Sequence, residues 1–227
     1  MRINRILFIV IFLATTAYSC KDKGGKNIDQ GEIHYNIDYI GSLGGVPKEA
    51  LPQNLIVYFK KNKTLFEMLG FGRSGIINLA NPDKKFYDTY FSFFTKKYYY
   101  ESQAGEIFPG FEAMEGMIIK KTSRTAVICG FNCKNAEVYL PAEPESPRSI
   151  WYTTEINVKN SNAASPFHQI DGVLMDFFFI MGPSELHFAA ETVYSIDVPD
   201  QTFDRKEKYI KVSKEDIKKV MNQMLSL

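Results

Sequence analysis

A serine, a histidine and an aspartate lie close together in the one long loop that the sequence predicts. Ser165, His168 and Asp171 are the residue types of a nucleophile, a general base and an orienting acid, and loops often carry functional residues. Nucleophilic serines of this kind usually stand on a sharp turn between a strand and a helix, and no such pattern surrounds Ser165. We therefore predict no catalytic residue and no enzyme, and His168 is the histidine on which a hydrolase hypothesis would depend.

Four glutamates are also close in sequence, namely Glu101, Glu106, Glu112 and Glu115. A hydrolytic carboxylate pair needs one acid whose pKa is raised and a second acid at a set distance from it. Nothing in the surrounding sequence indicates burial of either member, so the sequence predicts a solvated loop here.

Three glycines, Gly70, Gly72 and Gly75, have the G-x-G-x-x-G spacing of dinucleotide-binding loops. That function requires a helix that begins at the third glycine, because the helix amino terminus holds the phosphates. The following residues, Ile76 to Pro82, are typical of a strand and a turn. The spacing therefore predicts a glycine-rich hairpin, and no cofactor is predicted.

Cys129 and Cys133 are separated by Gly130, Phe131 and Asn132, and glycine and asparagine suit a tight turn. If the flanking segments are paired strands, the two cysteines could be close enough for a disulfide. Two thiols packed in a sheet fit the same pattern, and both alternatives are open. A metal site is not predicted, because no histidine or further cysteine lies nearby to complete a ligand set.

The third cysteine, Cys20, follows a segment of distinct composition. Arg2 and Arg5 precede an uncharged apolar run, and small residues stand before the cysteine, a pattern typical of a secretory signal peptide. With Cys20 as the first mature residue, the segment resembles a bacterial lipoprotein signal. The resemblance implies a signal peptide at 1–19, acylation of Cys20, attachment to a membrane through acyl chains, and a place in the cell envelope at the outer membrane.

The residues after the signal segment predict a tether and a single domain. Residues 20–30 are polar, contain glycine and follow no pattern, so they indicate a flexible tether before a domain at 31–227. The chain has 27 Lys and Arg against 26 Asp and Glu. This balance argues against a nucleic-acid partner, which needs a basic patch. No second apolar run approaches the roughly 20 residues of a spanning helix.

Alternating polar and apolar residues predict a chain made mainly of strands. Ile33, Tyr35, Ile37 and Tyr39 alternate with polar residues, which indicates a half-buried strand. Further short strands follow, among them 116–121, 126–129 and one that begins at Ile150. Val173 to Met181 is apolar on both faces apart from Asp176, which indicates a central strand or a concave wall covered by something else. A turn at Gly182 and Pro183 leads from it into a second long strand. The only predicted helix is the last element, which begins at Ser213 and Asp216 in a capping-box pattern.

Several segments resemble a known group of proteins. They are Gly130-Phe-Asn-Cys133-Lys-Asn-Ala136, Ile150-Trp-Tyr-Thr153 with Glu155-Ile156, Asp171-Gly-Val-Leu-Met175, and the closing pattern around Val198-Pro199 and Tyr209-Ile-Lys-Val-Ser213. Together they resemble GLPGLI-type and related lipoproteins of unknown function from Bacteroidota, near the LolA/LolB-like fold. The resemblance implies a curved antiparallel sheet or half-open barrel, LolA-like, with a C-terminal α-helix, and no functional residue.

Dense aromatic residues in the predicted strands allow two interpretations. They can fill an ordinary core, since aromatics dominate cores, or they can line an apolar cavity, as in small barrels that hold one ligand. In the second case Phe177, Phe179, Tyr98 and Tyr100 would form the ligand wall. The sequence thus predicts an apolar ligand or lipid in the sheet concavity, or alternatively a protein-interaction or structural module whose protein partner is unknown.

Overall fold

The computed structural model describes residues 27–41, 47–71, 74–93, 95–103, 106–163, 165–181 and 184–225, with backbone alone at residue 50 and at 221–225. Cys20, the signal segment and most of the tether lie outside these residues. So do Gly182 and Pro183, where the sequence predicts the turn of the last long hairpin.

Twelve strands form one sheet in the part of the chain that the structure describes. In chain order they are β1 (Gln30–Gly41), β2 (Asn54–Lys60), β3 (Lys63–Leu69), β4 (Gly75–Asn81), β5 (Phe86–Phe93), β6 (Lys96–Ser102), β7 (Ile118–Ile128), β8 (Phe131–Leu140), β9 (Glu143–Thr153), β10 (Val173–Met181), β11 (Ser184–Tyr194) and β12 (Ile210–Lys211). One α-helix, α1 (Lys214–Leu225), follows, and short 3₁₀ turns stand at Lys48–Ala50, Pro82–Lys84, Glu112–Met114 and Asp200–Phe203.

The spatial order of the strands is β12-β6-β5-β4-β3-β2-β1-β11-β10-β9-β8-β7. Neighbours are antiparallel except β12, which runs parallel to β6. The first strand pairs with β11, which lies far away in sequence, and this pairing joins two series of hairpins into one open, curved sheet. The predicted fold class, a curved antiparallel sheet with a C-terminal helix, is confirmed.

Local signals explain several of these elements. The strands β3 and β4 pair as an antiparallel hairpin, and the residues from Gly75 onward form a strand, as the sequence predicted, while Gly72 lies outside the described residues. The predicted central strand, β10, pairs with β9 on one side and β11 on the other. The capping box is also confirmed, since Ser213 Oγ accepts a hydrogen bond from the Asp216 N–H at 3.2 Å and donates to its carboxylate.

Two strands differ from their predicted bounds. The sequence predicted separate strands at 116–121 and 126–129, but β7 is continuous, and its register against β8 shifts between Lys121 and Thr125 as a bulge. The sequence also predicted that the next strand begins at Ile150, whereas β9 begins at Glu143. Its first residues are exposed and polar, so they carry no apolar alternation from which a strand could be predicted.

The strands β1 to β6 have buried residues on both faces. One face, here called the inner face, includes Ile33, Tyr35, Leu55, Val57, Phe66, Ile76, Asn78 and Phe91, which the strand registers place side by side. Their apolar members pack into the main core with Phe177 and Phe188. The opposite, outer face carries a second core cluster that includes Leu65, Leu79 and Tyr90.

The outer cluster is covered by residues 195–209, here called the strap. Val198 and Phe203 of the strap are buried against the outer face. Polar side chains of the sheet also hold its backbone, because Asn81 Nδ2 donates to the Phe203 carbonyl at 2.9 Å and Lys60 Nζ donates to the Val198 carbonyl at 2.7 Å. After the strap, β12 and α1 carry the chain around the β6 edge, and Ile217 of α1 is buried in the main core.

Candidate functional site

Three adjacent cavities lie against the inner face of β1 to β4. The aromatic ring of Phe66 lines all three. Thr64 and Ser161 line the first and second cavities, while Asn78 and Phe179 line the first and third. Because these residues are shared, the cavities form one row along the inner face, with the first cavity between the second and the third.

The row is narrow in this structure. The space between atoms in the three cavities is about 310, 300 and 350 Å³, with open solvent included. The volume of the cavities themselves is only about 10, 10 and 20 Å³. A volume of that size is room for about one water molecule, so a larger ligand would enter only if side chains moved.

The polar lining is concentrated in the first cavity, which lies in the middle of the row. The first cavity has four uncharged polar side chains, from Thr64, Asn78, Ser161 and Ser165. The third cavity is lined by apolar side chains apart from Asn78. Among the described residues, no charged side chain lines any of the three cavities.

Hydrogen bonds fix the polar groups of the first cavity. Asn78 Oδ1 accepts from the hydroxyl of Thr89, its cross-strand neighbour, at 3.0 Å. Ser161 Oγ donates to the Gly172 carbonyl at 2.9 Å, and Ser165 Oγ accepts from the Phe167 N–H at 3.1 Å. These bonds leave the Asn78 amide nitrogen and the Ser165 hydroxyl hydrogen as donors, and lone pairs of Ser161 as acceptors.

The loop that supplies the two serines is held tightly. The buried amide of Asn162 donates to the carbonyls of Ile170 and Gly172 at 2.9 and 2.8 Å. The N–H of Asn157 donates to the carbonyl of Ile28. A loop whose side chains satisfy its own backbone presents its serines in a fixed position.

A second segment, residues 106–117, contributes to the first and third cavities and is here called the covering loop. Phe108 lines the first cavity and Phe111 lines the third, where its ring lies 4.5 Å from that of Phe179. Ion pairs join this loop to α1: Lys214 Nζ lies 2.5 Å from the Glu106 carboxylate, and Lys218 Nζ lies 2.8 Å from that of Glu112.

The Glu106 carboxylate is the centre of a small polar network. Burial acts to raise its pKa, but hydrogen bonds from Lys214, the Gln103 N–H and the Tyr100 hydroxyl outweigh burial and hold that pKa below its ordinary value. Burial and the bond to Glu106 raise the pKa of Tyr100 to about 12. Both groups therefore keep their charge states at neutral pH, and the loop is joined to α1 by a full ion pair.

Of the four residues predicted as a ligand wall, Phe177 and Phe179 contact each other in the main core, with ring centroids 5.3 Å apart, and Tyr98 and Tyr100 pack against that core. Phe179 lines two of the cavities. Phe177 is fully buried and its ring stacks on that of Phe188 at 4.9 Å. Tyr98 and Tyr100 are partly buried on β6 and line none of these three cavities. Whether any of the four contacts a ligand stays a prediction.

Of the predicted ligand wall only Phe179 lines the row, and sequence reasoning missed the other lining residues, Thr64, Phe66 and Asn78 among them. The signal was present, because Thr64 and Asn78 occupy strand positions whose alternate residues are apolar. A polar residue at such an inward position is informative, since buried polar groups need partners.

The two cysteines take different positions at the β7–β8 turn. Cys129 and Gly130 form the turn itself, both with positive φ (50° and 82°), as in a type I′ hairpin. Cys133 is buried and stands opposite Ala126. The structure has both as thiols, and Cys129 Sγ donates to the Ala190 carbonyl at 3.3 Å. This arrangement favours the second alternative, packed thiols, and the disulfide stays a prediction.

The structure separates the serine, histidine and aspartate that sequence reasoning considered together. Ser165 is buried beside the first cavity, while His168 and Asp171 are exposed. The bond between Ser165 and His168 joins their backbones, from the His168 N–H to the Ser165 carbonyl at 3.2 Å. Within the described residues, no side-chain hydrogen bonds connect the three as a nucleophile and its base would require.

Three of the four glutamates predicted to be solvated form ion pairs, while Glu115 is exposed. Glu101 is bound by Arg205 and Lys211, and Glu106 and Glu112 are bound by the two lysines of α1. Sequence could not show this, because each partner lies roughly a hundred residues further along the chain. In the described ranges, no group of three or more His, Cys, Asp or Glu residues could hold a metal ion.

Comparison with known proteins gives matches in fold but none in sequence. The sequence matches no protein-family model and no curated protein. The solved structure of PNGF-II is similar with a TM-score of 0.54 and 16 % identity, covering 86 % of this chain and 33 % of that one. This chain therefore spans about a third of the PNGF-II chain, and the likeness is one of fold.

Two further solved structures match at lower similarity. A LolA superfamily protein from Nitrosomonas europaea has a TM-score of 0.35 and 11 % identity, over 78 % of this chain and 91 % of that one. LprF from Mycobacterium bovis has a TM-score of 0.26 and 10 % identity, over 75 % and 88 %. The matches thus include a LolA superfamily protein, while membership of the GLPGLI-type group stays an expectation. None of the described helices is long and apolar enough to cross a membrane.

Proposed function

We propose that this protein is a non-enzymatic lipoprotein of the cell envelope that binds an apolar ligand or lipid on the inner face of its sheet. The observation that carries the proposal is the row of three cavities that share Phe66. Uncharged side chains line all three, and the covering loop contributes Phe108 to the first cavity and Phe111 to the third. Mostly apolar cavities with a few convergent polar groups are typical of small-molecule sites.

Binding would require two movements, one of a side chain and one of a loop. Phe66 is only partly buried and lines all three cavities, so a change of its rotamer would enlarge the space that they share. The covering loop contributes Phe108 and Phe111 and is joined to α1 by two ion pairs that water can reach. Exposed ion pairs contribute little to stability, so opening this loop would cost less than moving a strand of the sheet.

The membrane attachment in this proposal rests on Cys20 and the sequence before it. Acylation of that thiol would place the domain at a membrane, and several acyl chains together anchor a protein firmly. The part of the predicted 20–30 tether that precedes the folded residues would then hold the domain away from the bilayer surface, where the row could exchange its ligand. Ile28 already packs in the main core and Gln30 begins β1.

The proposal is tested with the mature chain carrying Cys20→Ala, purified without detergent. We expect lipid extraction and mass spectrometry to recover an acyl species in near-stoichiometric amount, and the neutral fluorescent probe N-phenyl-1-naphthylamine to bind with saturation. If no acyl species is recovered and the probe does not bind, the proposal is wrong.

A pair of variants tells binding in the row from binding elsewhere. Phe66→Leu shortens a side chain that lines all three cavities and should increase probe affinity several-fold, because the space that they share would become larger. Phe86→Leu makes the same change in the outer cluster and should leave probe affinity unchanged. Equal effects of both variants would show that the probe reports general loosening.

A protein-interaction module is the second candidate, and the edge strand β7 favours it. Arg124 lies over the ring of Trp151 at 5.9 Å and Lys120 over that of Tyr139 at 4.4 Å. Val127 on the same strand is 69 % exposed. Aromatic and arginine side chains are enriched at protein interfaces. Loss of partner capture from envelope extracts in Arg124→Ala, with probe binding intact, would support this function.

A further inference from the structure

The lining of the row combines a cluster of polar side chains with apolar side chains beside it. The first cavity brings together four polar side chains from three separate parts of the chain: Thr64 of β3, Asn78 of β4, and Ser161 and Ser165 of the 157–170 loop. Apolar side chains such as Phe179, Met68 and Leu186 line the neighbouring third cavity. An occupant that matches both cavities would itself have a polar group and an apolar chain.

The first cavity offers both hydrogen-bond donors and acceptors but no charge. Oδ1 of Asn78 is occupied by Thr89, which leaves the amide nitrogen as a donor. The Ser165 hydroxyl can donate as well, because its oxygen already accepts from Phe167. Ser161 donates to Gly172 and keeps lone pairs for an incoming hydroxyl. Such a set matches hydroxyl, ester or amide groups.

An anionic head group would find no counter-charge here. The nearest cation in sequence, Lys63, precedes Thr64 and so points to the opposite face of the sheet, where its Nζ lies 2.7 Å from Asp200 of the strap. Lys60 likewise donates to the strap at the Val198 carbonyl. Moving a carboxylate or phosphate from water into a cavity without a cation is strongly unfavourable.

We infer that the row takes an uncharged amphiphile: a single aliphatic chain whose hydroxyl, ester or amide head is held by Thr64, Asn78, Ser161 and Ser165. This inference rests on the proposed function and adds the class of its ligand. It excludes free fatty acids in their ionised form and phospholipids with anionic heads as good occupants of the row.

The test compares two lipids of equal chain length in displacing N-phenyl-1-naphthylamine from the Cys20→Ala chain. At pH 8 we expect 1-monolauroylglycerol to displace the probe at about tenfold lower concentration than laurate, because the laurate carboxylate loses its hydration without a partner. Laurate should become a better competitor as pH falls and its carboxyl group is protonated. Equal or stronger displacement by laurate at pH 8 would overturn the inference while the probe still binds.

Two variants connect the selectivity to the polar groups of the first cavity. Asn78→Leu removes the amide and should reduce the preference for the glyceride over laurate, measured as the ratio of their displacing concentrations, about tenfold. Ser165→Ala is the smaller change, available if Asn78→Leu does not fold, and should act in the same direction. An unchanged preference in a folded variant would contradict this assignment of the head group. Absence of binding by probe and both lipids would instead refute the proposed function itself.

Discussion

The guanidinium Nε of Arg205 lies 3.0 Å from the carboxylate of Asp88, whose side chain has no exposed area. Arg205 belongs to the strap and Asp88 to β5, so this pair joins the outer face of the sheet to the segment that covers it. Tyr90 donates to the same carboxylate at 2.7 Å. Burial raises the pKa of Asp88, while the bonds from Tyr90 and Arg205 oppose that shift.

Replacing Arg205 by methionine should destabilise the protein by about 2 kcal/mol. Breaking a buried ion pair on one side costs roughly 3–5 kcal/mol, and water reaches this one because the Arg205 side chain is 42 % exposed. Urea unfolding at pH 7 measures the loss. The double variant with Asp88→Asn should recover part of it, since no unpaired charge remains. Strictly additive losses would show that the two residues act independently.

The deficit of Arg205→Met should also shrink in acid. The pKa of Asp88 in the folded protein is above its ordinary value of 3.8, so this group favours folding more as pH falls. Without Arg205 the carboxylate would take up its proton at still higher pH, which removes the unpaired charge. Unfolding curves between pH 4 and 7 should therefore converge, and a constant difference would contradict this account.

The covering loop should loosen below about pH 4.5. Hydrogen bonds from Lys214, Gln103 and Tyr100 hold the folded pKa of Glu106 below its ordinary 4.5 despite burial. Its stabilising contribution is therefore complete above 4.5 and is lost as pH falls through the lower, folded value. The protection factors of the amides of residues 106–117, which correct for the intrinsic pH dependence of hydrogen exchange, should fall in that range.

In the variant Glu106→Gln, the protection factors of the covering-loop amides should already be lower at pH 7. They should change little further in acid. Its matched control is Glu207→Gln, a change at an exposed position of the strap, which should behave as the parent does. Protection factors in the parent loop that do not change with pH would disprove the role of this carboxylate.

The two thiols of the β7–β8 hairpin should react at very different rates. Burial raises the pKa of Cys133 to about 11, so little reactive thiolate forms at neutral pH. Cys129, in the turn, is only partly buried. Maleimide labelling of the Cys20→Ala chain should modify Cys129 first and Cys133 only on unfolding. A mass increase of about two hydrogens on reduction would instead show a disulfide between them.

Two glycines with positive φ should respond differently to alanine. A Cβ on Gly31 would lie 2.1 Å from the carbonyl oxygen of Tyr194 in β11, whereas one on Gly130 meets no atom within 4 Å. Gly130→Ala should therefore cost only about 1 kcal/mol for its left-handed backbone. Gly31→Ala should cost several times more, because β1 would have to move from β11. Similar melting temperatures for the two variants would contradict the close approach of these strands.

Period-two alternation was enough to predict β1, the β3–β4 hairpin and the curved antiparallel class, and a Ser213–Asp216 capping box was enough to predict the start of α1. These signals are local, because the chain geometry of a strand or a helix cap is expressed within a few residues. The same signals indicated that Phe177 and Phe179 are buried.

Only the tertiary structure decided which face of each strand is inner and what meets there. The inner face is set by the pairing of β1 with β11, and the row of cavities by Phe66, Asn78 and Ser161, which come from distant segments. Alternation places residues on two faces but does not say which face is covered. That depends on pairings and on a strap that lie roughly a hundred or more residues apart, where the free energy of packing, and no local propensity, makes the choice.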